Sequence, residues 1–179
     1  MPLFFPHQFK DVASDIDGVD ISISPFSRNI AILERRTVKI LNIAKITIEQ
    51  ECLIILPNGG YDFIDWISQE QLVVGSVLGK LLFLSSFGEI KGEVDVKKEI
   101  HSSFCAFGLF AACLDNSVIT FFNFDGEEEG SINLNVQNAF ITSPMFHPPS
   151  TLSCSIGGAP AILSLYESSM KKNGRFLIE

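Results

Sequence analysis

Apolar residues along this chain alternate with polar ones or run on for a few positions, in segments about four to eight residues long. No segment holds the i, i+3, i+4, i+7 apolar spacing over the roughly ten residues that a helix needs. The clearest stretch is Tyr61 to Val96, which reads as four short strands. Phe63 to Ile67 is the first and ends on Trp66 before the turn Ser68-Gln69-Glu70. Leu72 to Val77 and Leu81 to Ser85 are continuous apolar runs, the mark of strands covered on both faces. Ile90 to Val96 is a more polar outer strand.

The same plan recurs on either side. Before it come Asp20 to Ser24, Ile30 to Leu33, Val38 to Ile43 and Ile46 to Leu56, closed by the turn Pro57-Asn58-Gly59-Gly60. After it come Ser102 to Phe107, Leu109 to Leu114, Val118 to Phe124 and Ser131 to Val136, with Asp125-Gly126 as a hairpin signal. A fourth unit holds Phe140 to Met145, Thr151 to Ile156, Ala161 to Tyr166 and Arg175 to Glu179. Near the amino terminus, Leu3, Phe4, Phe5 and Phe9 fit an apolar strand of a neighbouring sheet or a frayed end.

The second strands of the units start at Ile30, Leu72, Leu109 and Thr151, so they are 42, 37 and 42 residues apart. A period near 40 with four strands per unit is the footprint of a β-propeller blade. The expectation is an all-β, WD40-like propeller of about four four-stranded blades, with repeats at 19–57, 61–97, 100–137 and 139–179. A β-sandwich of similar strand count is the competing fold; turn chemistry and strand order repeating in phase favour the propeller. Four such blades suggest part of a larger or partner-completed ring, in which one sheet face is left for something else to bury.

Composition narrows the functional classes. With 46% hydrophobic and 19% charged residues, the 179-residue chain has the opposite of a disordered composition. A net charge of −8 argues against nucleic acid, whose phosphates need clustered cations; Lys171-Lys172 and two similar doublets are too small. The longest apolar-rich segment, Phe104 to Leu114, is far short of the roughly 20 residues that span a bilayer, so membrane contact is expected to be peripheral. Cys52, Cys105, Cys113 and Cys154 match no zinc or CxxC spacing and sit in apolar runs. They read as reduced, buried thiols of a cytoplasmic protein.

No chemistry-bearing motif stands out. His7, His101 and His147 are isolated, and His101 four residues from Cys105 on a strand does not converge on one metal. Asp62 and Asp65, three apart on a strand, face opposite sides. Gly59-Gly60 and Gly157-Gly158 precede no helix that could hold a phosphate. The expectation is a non-catalytic protein without cofactor or metal. Loops of contrasting charge on a rigid scaffold suit recognition. Those at Ser68 to Gln71, Glu127 to Gly130 and Ser168 to Gly174 are read as blade connections. The candidate interface residues are Trp66, Glu127, Glu128, Glu129, Lys171 and Lys172; for Trp66, packing within the blade is the competing role, and the commoner one for a lone tryptophan at this point.

The segments ISISPFSRNIAILERRTVKILNI, EQEC at Glu49 to Cys52, and FIDWISQEQLVVGSVLGKLLFL carry a resemblance. From Val19 to Ser85 the pattern resembles the amino-terminal propellers of endolysosomal trafficking subunits, such as the regulator of the Mon–Ccz Rab-exchange complex. Vacuolar-sorting and intraflagellar-transport propellers share the second and third blades about as well. The resemblance implies a scaffold among other protein subunits, peripheral on endosomal or lysosomal membranes. The chain departs from that family by starting late in the ring and by lacking the α-solenoid that usually follows. The alternative is a soluble peptide- or substrate-recognition propeller, such as a ubiquitin-ligase subunit.

Overall fold

The computed structural model describes residues 18–24, 27–42, 49–115, 118–134, 136 and 140–165. These form fifteen strands and, among the described residues, no α-helix. Sheet I holds β1 (Gly18–Ile23), β2 (Asn29–Glu34), β3 (Thr37–Asn42) and β4 (Glu49–Ile55). Sheet II holds β5 (Phe63–Trp66), β6 (Gln71–Gly75), β7 (Lys80–Ser85) and β8 (Ile90–Asp95). Sheet III holds β9 (Ile100–Ala106), β10 (Leu109–Leu114), β11 (Val118–Phe122) and β12 (Glu128–Asn133). Sheet IV holds β13 (Ile141–His147), β14 (Thr151–Ile156) and β15 (Ala159–Ser164). Every sheet is an antiparallel meander in chain order, so the four repeating units seen in the sequence are four blade-like sheets. The fourth strand anticipated at Arg175 to Glu179 lies outside the described residues, as do Leu3 to Phe9.

Sheet II shows why a continuous apolar run becomes a strand here. Leu72, Val73 and Val74 on β6, and Leu81 to Leu84 on β7, are all fully buried. Successive side chains point to opposite faces, so both faces of this sheet must be covered. Leu72, Val74, Leu82 and Leu84 pack against Ala31, Leu33, Val38 and Ile40 of sheet I. Val73, Leu81 and Phe83 pack against Phe110, Ala112 and Phe122 of sheet III. Burying each such side chain contributes about 1.5–3 kcal/mol. Phe63 lies over Gly75, where an added Cβ would come within 2.0 Å of its ring. Glycine is therefore required at that point of the strand.

Sheet III meets sheet IV in the same manner, with Phe104, Ala111, Cys113, Ile119 and Phe121 set against Ile141, Leu152, Cys154 and Leu163. The inter-sheet contacts run mainly through the first strands, β1 with β5 and β9 with β13. The first strand of each sheet is thus its inner strand. Three apolar seams join sheets I–II, II–III and III–IV. Among the described residues no core cluster joins sheet IV back to sheet I.

Candidate interaction surfaces

Polar groups on the inner strands lock the seams. Asp20 on β1 accepts a hydrogen bond from the Ile64 backbone N–H at 2.9 Å, and Trp66 Nε1 donates to the Ser22 carbonyl at 3.1 Å. Ser103 on β9 donates to Asp65 Oδ2 at 2.8 Å, and Ser102 donates to the Ile141 carbonyl at 2.6 Å. Burial pushes the Asp65 carboxyl up to about 6; the Ser103 hydroxyl pulls it down and the Asp20 charge adds to the rise. Asp62 accepts instead from the Val77 backbone N–H at 2.9 Å, so Asp62 and Asp65 serve separate bonds.

Of the two roles open to Trp66, this geometry gives packing and overturns the interface anchor. Its side chain is 3% exposed and belongs to the I–II core, so it faces blade 1 and offers nothing to an outside partner. An indole at a strand end buries a large apolar area while its N–H finds a partner; here the neighbouring inner strand supplies the carbonyl. Hydropathy alone leaves open which side of β5 the ring takes.

Glu127, Glu128 and Glu129 are exposed as anticipated, but they do not sit in a loop between blades. They belong to the β11–β12 hairpin, and Glu128 and Glu129 already lie in β12. Asn123 organises the turn: its Nδ2 donates to Glu127 Oε2 and Glu129 Oε1, and its Oδ1 accepts from the Asp125 and Glu127 backbone N–H groups. Ser68 to Gln71 is likewise the β5–β6 turn inside sheet II. The loops do not link blades because an antiparallel meander places them within one sheet, at the same rim. Lys171, Lys172 and the Ser168 to Gly174 loop lie outside the described residues.

At this rim the β5–β6, β7–β8 and β11–β12 turns enclose a cleft of about 400 Å³, lined in part by Glu70, Phe87, Glu89, Lys91, Phe124 and Asp125. Two close approaches fix its walls. A Cβ on Gly92 of β8 would stand 2.1 Å from the Asp125 carbonyl, and one on Gly126 would stand 2.8 Å from Val94. Gly126 also has φ +82°, the left-handed conformation that favours glycine. The sequence signals each turn but not their meeting across two blades.

His101 does not approach Cys105 in any useful way. Antiparallel pairing of Ile100 with Leu114 brings it to Asp115, with Nε2 2.6 Å from Oδ1 and the Phe140 ring 4.2 Å away. Glu99 joins them, so three ligand-type atoms lie within 4.8 Å of one another. Glu99 is exposed and His101 already has Asp115 as its partner, so the trio is accounted for as a histidine–carboxylate hydrogen bond with an added acid. The four cysteines are unpaired. Burial raises the thiol of Cys105 and lifts that of Cys113 to about 12, so neither is an activated nucleophile.

The exposed apolar residues concentrate on the outer face of sheet I. Cross-strand partners share a face, and the register Ile23–Ile30, Ile21–Ile32, Ile30–Leu41 and Lys39–Leu53 defines that face. Ile32 and Leu41 at its centre are sheltered, whereas Ile21, Ile23, Leu53 and Ile55 are 58, 65, 48 and 76% exposed. Its only described charges, Glu34 and Lys39, are paired with each other. Hydrogen bonds from Lys39 and Thr37 lower the Glu34 carboxyl below its usual range.

These features define an all-β protein of four antiparallel blade-like sheets. No family model and no curated protein matches the chain. Solved structures do. The computationally designed Ika4 protein is similar with TM-score 0.63 and 9% identity, over 85% of this chain and 93% of the designed one. A protein from Lactobacillus plantarum is similar with TM-score 0.65 and 11% identity, over 90% of this chain and 54% of that one. At such identities the likeness concerns the fold. The chain spans about half the length of the Lactobacillus protein.

Proposed function

We propose that this protein is a non-catalytic interaction scaffold, a WD40-like propeller arc completed by the β-sheet of another protein. The observation that carries the reading is the outer face of sheet I. It has the apolar pattern of the inward faces of sheets II and III, interrupted by one ion pair, yet its two edge strands, β1 and β4, leave four large aliphatic side chains open to solvent. Apolar sheet faces in this molecule are covered by other apolar sheet faces, and a partner sheet is the matching cover. The resemblance of Val19 to Ser85 to endolysosomal trafficking propellers makes a subunit of such a complex, peripheral on endosomal or lysosomal membranes, the specific form of the proposal. Affinity purification of the tagged protein from cells that make it, followed by mass spectrometry, tests this. Recovery of endolysosomal trafficking subunits supports it. Recovery of ubiquitin-ligase subunits without them replaces it with a substrate-recognition propeller, and recovery of the chain alone rejects it.

A further inference from the structure

The rim cleft between blades 2 and 3 is separate from the sheet I face and has a different chemistry. Its two aromatic residues come from different blades: Phe87 from the β7–β8 turn and Phe124, half-buried against the II–III core, from the β11–β12 turn. Phe87 is 77% exposed, in a turn where polar residues ordinarily sit. Around these rings stand Glu70, Glu89 and Asp125, against Lys91 as the one cation lining the cleft. Lys91 is paired with Glu89. The lining thus holds two further acidic residues, Glu70 and Asp125, with no lysine or arginine of the lining left to match them. At about 400 Å³ the cleft lies near the lower end of ligand-pocket sizes, suited to one or two side chains of an extended peptide.

The walls are set in advance. The Asp125 carbonyl rests on Gly92 across the seam, and Ser85 ties the β7–β8 turn by accepting from Glu89 N–H at 3.0 Å. The backbone of the walls therefore needs no rearrangement to receive a ligand.

We propose that this cleft binds an extended peptide segment through an arginine flanked by an apolar residue. A guanidinium presents a planar fork to carboxylates such as Glu70 and Asp125, and its flat face stacks on an aromatic ring. A lysine ammonium satisfies the charge but lacks both the fork and the stacking plane. An apolar neighbour gives the exposed face of Phe87 a cover. The inference deepens the reading of the chain as a binding module by naming the chemistry of one partner segment.

Fluorescence anisotropy with the labelled peptide Gly-Leu-Arg-Leu-Gly, and the same peptide with lysine or glutamine at the centre, tests it at two salt concentrations. The arginine peptide binds tightest and the glutamine peptide at least tenfold more weakly. Phe87→Ser and the double variant Glu70→Gln/Asp125→Asn each weaken arginine binding about tenfold, while Lys91→Gln, which frees Glu89, strengthens it. The triple variant Glu127→Gln/Glu128→Gln/Glu129→Gln removes three charges from the same rim outside the cleft lining and changes binding less than twofold. No measurable binding, an unchanged Phe87→Ser variant, or a triple variant as damaging as the cleft variants overturns the proposal, the last by showing only diffuse charge attraction. Ile23→Asp on sheet I leaves this binding intact, so its failure and the failure of the scaffold reading are told apart.

Discussion

The two ends of the arc present opposite surfaces. On the outer face of sheet I, Ile21, Ile23, Ile30, Ile32, Leu41, Leu53 and Ile55 surround one ion pair, Glu34 with Lys39, and Thr37. On the outer face of the described strands of sheet IV the corresponding positions are Thr142, Met145, His147, Thr151, Ser153, Ser155, Pro160, Ile162 and Ser164. Met145 and Ile162 are exposed there, but as isolated apolar residues among hydroxyls. Single exposed apolar side chains are ordinary; a contiguous face of them marks an interface. One end of the arc is built like an internal blade, and the other is built to meet water. Head-to-tail closure by a second copy would set an apolar face on a hydroxylated one, a poor match compared with the three internal seams. The proposed partner at sheet I is accordingly a different protein rather than this chain's own sheet IV.

The largest effect expected is at the seam behind the exposed face. Trp66→Ala removes the indole from the I–II core and its bond to Ser22, and costs about 3–5 kcal/mol of stability in urea denaturation. A loss under 1 kcal/mol would mean that sheet I is not firmly held, and that its face is no rigid platform.

An intermediate effect comes from Asp65 in the next seam. Its carboxyl holds a proton more tightly when folded, near pH 6, than when unfolded, where the ordinary value is 3.8. The contribution of the protonated group is full below about pH 4 and is lost as pH rises through 6. Asp65→Asn keeps an acceptor for Ser103 and removes the charge. It is expected to stabilise the protein at pH 7 by on the order of 1–3 kcal/mol and to flatten the pH 4–7 stability profile. An unchanged profile in the variant would show that Asp65 is not the titrating group.

The smallest effect on stability separates the two ends directly. Ile21→Asp/Ile23→Asp and Met145→Asp/Ile162→Asp each change the stability of the isolated chain by less than about 1 kcal/mol, as surface substitutions do. The first pair sharply lowers binding of a hydrophobic dye, whereas the second scarcely alters it. Equal losses would erase the contrast between the ends.

Much of the architecture was legible in the chain because period-2 alternation, continuous apolar runs and turn residues all agree. Strands anticipated at Leu109 to Leu114 and Thr151 to Ile156 form with those bounds. Boundaries differ where charge suggests a loop: Glu128 and Glu129 lie within β12, since an outer strand with one face in water tolerates carboxylates. The placement of Trp66 and the meeting of His101 with Asp115 depend on which strands become neighbours, which local pattern does not state. The rim cleft was least legible of all. Its lining comes from three turns in two blades, and the glycine that lets them meet, Gly92, sits in a strand with no turn signal.

The proposed scaffold requires an unfinished interface on sheet I and none on sheet IV. The most direct measurement compares complexes purified from cells through the tagged wild-type chain, the Ile23→Asp variant and the Ile162→Asp variant, each shown to be folded. The expected result is that Ile23→Asp loses the partners the wild type recovers, while Ile162→Asp retains them in full. Partners retained by both variants, or lost equally from both, would contradict it.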